Sequence, residues 1–154
     1  MAAADELLEM RSHFFIGNYQ LAINDADAIT GGNPEVQARK KLLQYRCYIC
    51  LGNANLVIDD VDDSAPPELQ LVKLLALYTL DPTDESARSK ITQALSSPCT
   101  SELASDFRAI VGGIYYLNEG DYDEALRSVV QSTWLEGYVP FSLFFHPLLL
   151  MFCH

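Results

Sequence analysis

Three glycines constrain this chain more than anything else in it. Gly17, Gly52 and Gly120 open the segments GNYQLAI, GNANLVI and GDYDEAL. Each glycine is followed by Asn or Asp, and each segment has Ala22, Val57 or Ala125 at its sixth place, then Ile23, Ile58 or Leu126. The glycines are 35 and 68 residues apart, and 68 is twice 34. A chain that turns on glycine at this period folds as repeated units, each burying its apolar face against the next.

A period of 34 residues with a helix on either side of the turn is that of tetratricopeptide repeats. The missing copy is expected to turn near Ser86, in DPTDESARSKITQAL, where Ile91 and Leu95 can face inward but no glycine is present. The fourth copy is the fullest, with Gly113, Tyr116, Gly120, Tyr122 and Ala125 in phase. Gly113 and Ala125 are small where two helices are to cross closely, Tyr116 is expected to fill the gap between them, and Gly120 supplies a left-handed cap. Tyr45, Tyr48 and Gly52 repeat part of this pattern. The expected helices are 5–16 with 19–31, 34–51 with 54–62, 67–80 with 84–96, and 101–118 with 121–133. Pro34, Pro66, Pro67 and Pro98 fall between them, where proline is tolerated. The expectation is therefore an all-α, tetratricopeptide-like (TPR) α-α superhelix, an α-solenoid of about four helix pairs. It forms a repeat domain over 1–133, followed by an apolar non-repeat tail over 134–154.

Little in the sequence points to catalysis. Cys47 and Cys50 form a Cys-x-x-Cys pair, but no second pair or spaced histidines completes a four-ligand zinc site. The pair lies near a helix end instead of opening a helix after a strand, so both are expected to be reduced core thiols. The acidic run DDVDDS (59–64) fails as a calcium loop, because Ala65 and Leu71 stand where Gly and a bidentate Glu are needed. His13, His146 and His154 are scattered. No catalytic residue, cofactor or metal is expected. With 21 Asp+Glu against 10 Lys+Arg and a net charge of −11, the chain lacks the basic surface a nucleic-acid binder needs. The N-terminus MAAADELLEMRS lacks the basic and apolar regions of a signal peptide, and a cytosolic chain is expected.

In stacked helix pairs the first helix of each pair lines the concave side. By repeat position those inward residues are Arg11, Phe14 and Phe15 from the first pair, and Arg39, Arg46 and Ile49 from the second. Phe107, Ile110, Ile114 and Leu117 come from the fourth. About half are expected to pack between repeats, and the others to grip a protein partner.

HFFIGNYQLAINDA (13–26), YRCYICLG (45–52) and SAPPELQLVKLLA (64–76) together resemble the N-terminal half of the epsilon subunit of coatomer, the COPI vesicle coat. The likeness runs to about residue 133. It implies a superhelix that clasps the C-terminal region of the coatomer alpha subunit, and through it the other coatomer subunits. It further implies a role in retrograde Golgi-to-ER and intra-Golgi transport, without catalysis, on the cytosolic face of Golgi membranes reached only through the coat. The alternative is a chaperone-clamp adaptor, which grips a C-terminal carboxylate with Lys and Asn. Here those places hold Leu7, Arg11, Leu42 and Arg46.

The final segment departs from that family. Ser142 and His146 are the polar residues between Val139 and Cys153, and Pro140 and Pro147 break any helix. It reads as the product of a truncation with a foreign tail, too short and proline-broken to span a membrane. Unless it folds back over the fourth repeat it leaves a large exposed apolar patch. A non-repeat conformation after about Trp134, and association when the chain is made alone, are the expectations.

Overall fold

The structure, a computed structural model, describes residues 7–130. Among them are eight α-helices and no strand, in four consecutive pairs. These are α1 (Leu8–Phe15) with α2 (Tyr19–Ala28), α3 (Pro34–Cys50) with α4 (Ala54–Asp60), α5 (Pro67–Leu80) with α6 (Glu85–Ser96), and α7 (Glu102–Asn118) with α8 (Tyr122–Val130). The all-α, tetratricopeptide-like arrangement read from the period is the fold observed. The tail over 134–154 lies outside the described residues.

Three of the four intra-pair turns share one hydrogen-bond pattern. Gly17, Gly52 and Gly120 have φ of 83°, 79° and 79°, a region that glycine enters without the penalty a Cβ would bring. The residue after each donates back five places: Asn18 N–H to the His13 carbonyl at 2.8 Å, Asn53 to Tyr48 at 2.8 Å, and Asp121 to Tyr116 at 2.9 Å. The glycines themselves donate to Phe14, Ile49 and Leu117 at 3.1, 3.0 and 3.1 Å. This double closure satisfies the last carbonyls of the first helix and starts the second in a fixed direction.

The third turn differs in position and chemistry. It lies over 81–84, where the expected helices 67–80 and 84–96 leave it, and not near Ser86, where the glycine period alone puts it; Ser86 already sits in the first turn of α6. Asp81 replaces the glycine device: its carboxylate accepts from the Thr83 N–H at 2.9 Å and the Thr83 hydroxyl at 2.6 Å. Asp84 then caps α6 by accepting from Ser86 N–H at 2.9 Å. Asn33 before Pro34 and Ser101 before Glu102 cap α3 and α7 in the same way.

Each later pair packs on the one before it through its own first helix. Helix α3 lies against α2, α5 lies against α3, α4, α6 and α7, and α8 closes on α7. Leu42, Tyr45 and Ile49 of α3, Leu71, Val72 and Leu75 of α5, and Phe107, Ile110 and Ile114 of α7 share one buried cluster. A second cluster joins Met10, Phe14, Ala22 and Ile23 of the first pair to Leu43 and Cys47 of α3. In the last pair, a Cβ on Gly113 would stand 2.5 Å from Val129 Cγ2, and Ala125 is fully buried. Gly112 also makes a close approach, 2.9 Å from such a Cβ to Ser128 Oγ. The tyrosine that fills the joint with the third pair is Tyr115, 7% exposed and edge-on to Tyr78 at 5.2 Å. Tyr116 stands half-buried beside Leu95 and Ser128, at the cleft between α6, α7 and α8. Glu119 locks this joint, accepting from the Tyr78 hydroxyl at 2.9 Å and pairing with Arg88.

Candidate partner-binding surface

Packing sorts the residues expected to face inward into buried ones, termed the floor, and partly exposed ones, termed the rim. Phe107 is 0% exposed, Ile114 1%, Ile49 2%, and Phe14, Arg46 and Ile110 4% each. Helix α5 lies between α3 and α7, so Ile49, Ile110 and Ile114 spend their apolar surface on it. Arg11, Phe15, Arg39 and Leu117 keep part of their surface in solvent. Phe15 and Leu117 also pack on the main cluster, which places rim and floor in contact.

Arg46 is a joint between repeats. Its guanidinium carbon lies 4.5 Å from the centroid of the Phe14 ring, a cation–π arrangement shielded from water. Arg39 is held along its own helix by Glu35, at 3.0 Å and 2.7 Å through Nε and Nη2. His13 Nδ1 lies 2.6 Å from Asp25 Oδ2 and ties α1 to α2.

The Cys-x-x-Cys pair lies in this joint. Both Cys47 and Cys50 are free thiols, Cys47 buried and Cys50 half-buried. Burial pushes the Cys47 thiol up to about 12, with neighbouring Cys50 adding to the rise and Arg46 opposing it. Cys50 is raised by burial too, against the opposing pull of Arg46 and a hydrogen bond with Tyr19. Protonated thiols of this kind are poor nucleophiles and poor ligands. Among the described residues, no group of three or more His, Cys, Asp or Glu side chains is placed to hold a metal.

The acidic run is divided among structural duties. Asp60 accepts from the Tyr45 hydroxyl and lies 3.6 Å from Lys41; the Tyr45 bond first, then Lys41, holds its carboxyl below the usual range. Asp62 closes a turn on Ser64, at 2.9 Å to the N–H and 2.7 Å to the hydroxyl. Asp63 lies 3.2 Å from Lys73, which also donates to the Val61 carbonyl at 2.6 Å.

One feature is absent from the sequence reading. A mostly apolar cleft of about 280 Å³ opens between α5, the end of α6, the 97–100 connection and α7, lined by Pro67, Leu71, Leu74, Ala94, Cys99 and Ala104. Its walls come from four elements, and no spacing within one element signals it. No helix of the described residues is long and apolar enough to cross a membrane.

Residues 3–142 match the model of the coatomer epsilon subunit family. The chain is 38% identical over 128 residues to coatomer subunit epsilon-1 of Arabidopsis thaliana, covering 82% of this chain and 43% of that protein. It is 38% identical over 127 residues to coatomer subunit epsilon-1 of Oryza sativa subsp. japonica, again 82% and 43%. A second Arabidopsis thaliana protein, coatomer subunit epsilon-2, is 37% identical over 127 residues, with 82% and 42% covered. The chain thus spans less than half the length of these relatives. The likeness covers all four glycine-turn and Asp-turn pairs, and the chain belongs to the coatomer epsilon subunit family.

Proposed function

We propose that the chain is a non-catalytic structural part of the COPI vesicle coat. It holds the C-terminal region of the coatomer alpha subunit and, through it, the other subunits. Its setting is then the cytosol, peripheral to Golgi membranes that it meets only through the coat, and its process is retrograde Golgi-to-ER and intra-Golgi transport. The observation that carries this reading is the family match across all four described helix pairs. The buried, protonated thiols and the structurally committed carboxylates add nothing that would serve catalysis. The partner's contacts are assigned to the rim residues Arg11, Phe15 and Leu117, over a floor of Arg46, Ile49, Ile110 and Ile114. Apolar surface interrupted by arginine is the composition typical of a protein–protein hot spot.

The chaperone-clamp alternative needs accessible Lys and Asn to grip a carboxylate. The corresponding places hold Leu7 at 5%, Leu42 at 1% and Arg46 at 4% exposure, and only Arg11 is partly exposed. Affinity purification of the tagged chain from cells separates the two readings. Recovery of coatomer alpha subunit supports the coat role, and recovery of chaperones without coatomer supports the clamp.

A further inference from the structure

Helix α6 ends in a weak last turn. Thr92, Ser96 and Ser97 each turn the hydroxyl back on the chain, donating to the Arg88, Thr92 and Gln93 carbonyls at 2.9, 2.9 and 2.8 Å. Such back-bonding competes with the backbone ladder and loosens a helix end. The closing backbone bond, from Ser97 N–H to the Ala94 carbonyl, is stretched to 3.4 Å. Gln93, Ser96, Ser97 and Pro98 are all exposed. Ser97 is also the one Ser or Thr of the whole sequence that stands directly before a proline. Proline holds the residue before it extended, and Ser97 lies at φ −78° and ψ 147°. An exposed hydroxyl on extended backbone before proline is the form in which a proline-directed serine/threonine kinase takes its substrate. Pro98 brings no backbone N–H that the kinase would have to pair.

A receiver for the phosphate is already in place. Arg108 of α7 reaches across and donates from Nη1 to the Ser97 carbonyl. Glu124, the carboxylate that shares the cleft between α6, α7 and α8 with Arg108, is paired with Arg127. The last turn of α6 offers no basic residue, and the carbonyls of a helix C-terminus repel a phosphate. We propose that Ser97 is a phosphorylation site for a proline-directed serine/threonine kinase, and that Arg108 holds the phosphate. In the transfer the Ser97 Oγ attacks the γ-phosphorus of ATP and its hydroxyl proton passes to the kinase's carboxylate base. The bond from that phosphorus to the β–γ bridging oxygen breaks, and ADP leaves. The phosphoserine gives up the bond to the Gln93 carbonyl, turns away from α6 and takes the Arg108 guanidinium in a charge-assisted pair. The 97–100 connection, one wall of the apolar cleft, is thereby tied to α7. This inference does not rest on the coat role.

The test incubates the whole folded chain with ATP, magnesium and a purified proline-directed kinase, and maps the phosphate by mass spectrometry. Ser97 is expected to be the residue modified. Pro98→Ala is expected to slow the modification at least several-fold, because the new N–H is left unpaired in the kinase. The phosphorylated chain is then titrated by phosphorus-31 magnetic resonance. A phosphate beside Arg108 loses its second proton below the ordinary value near 6. Arg108→Gln is expected to return that ionisation to the ordinary value. Arg108→Lys keeps the charge without the planar fork and falls between, with helicity unchanged in all three proteins. The site is overturned if the folded chain leaves Ser97 unmodified, or if Pro98→Ala is modified as fast. The assignment of Arg108 is overturned if the phosphate ionises alike in the unaltered, Gln and Lys proteins.

Discussion

The guanidinium of Arg46 covers the face of the Phe14 ring, 4.5 Å from its centroid, and so joins the second helix pair to the first. The sequence pattern places Arg46 on the concave side, and the structure places it 4% exposed at this joint. Arg46→Ala is expected to lower the unfolding free energy by about 2 kcal/mol or more, through a lost desolvated cation–π contact and lost packing of the side-chain stem. Arg46→Lys keeps the charge but not the planar stack, and falls between. Urea unfolding of the three proteins checks the order.

Gly113 and Val129 set how closely α7 and α8 approach. Gly113→Val is expected to destabilise by about 2–3 kcal/mol, because added carbon must displace Val129 from a position 2.5 Å from the first new atom. Gly113→Ala gains up to about 1 kcal/mol of helix propensity against a smaller overlap, so its loss is less. Thermal unfolding of both variants gives the comparison.

The glycine period located three of the four turns because each is one backbone device repeated, a left-handed residue closed by two hydrogen bonds to the preceding helix. It misplaced the third by a few residues because Asp81 builds that turn with its side chain, which leaves no glycine to count. For the candidate surface the period supplies an expectation only, of which side of each first helix faces inward. Which of those residues stay accessible was not legible. Ile49, Ile110 and Ile114 are covered because α5 lies between α3 and α7, a relation between pairs that no single helix encodes. Gly112 carries no signal in the repeat pattern, because its tightness comes from Ser128 of α8 and Leu95 of α6, which only the packing brings to it.

Cys47 gives a prediction at alkaline pH. Its folded value is raised to about 12, against an ordinary thiol near 8.5, so the folded state holds the proton that the unfolded state loses. The stability this contributes is full below about 8.5 and falls away as pH rises towards 12. In the native protein at pH 8, Cys47 should resist iodoacetamide and become labelled only on unfolding, read by mass spectrometry. Ready native-state alkylation of Cys47 would contradict the buried placement.

Asp60 gives the opposite limb. Its carboxyl is depressed by the Tyr45 hydroxyl bond and by Lys41, so its contribution is present above the ordinary carboxylate value near 4 and lost as pH falls through the folded one. Tyr45→Phe removes the larger cause, and is expected to make acid unfolding begin at a higher pH. A pH series of denaturant midpoints for both proteins measures it, and superimposable curves would show that the bond carries no linkage.

The role in the coat is tested most directly by calorimetric titration of the whole chain with the C-terminal region of a coatomer alpha subunit. Saturable binding at one-to-one stoichiometry is expected. Arg11→Glu combined with Leu117→Lys, both at the accessible rim, should weaken it at least about tenfold, a change of about 1.4 kcal/mol, with helicity unaltered. No binding by the folded chain, or equal affinity for the rim variant, would contradict a coat role exercised through this surface.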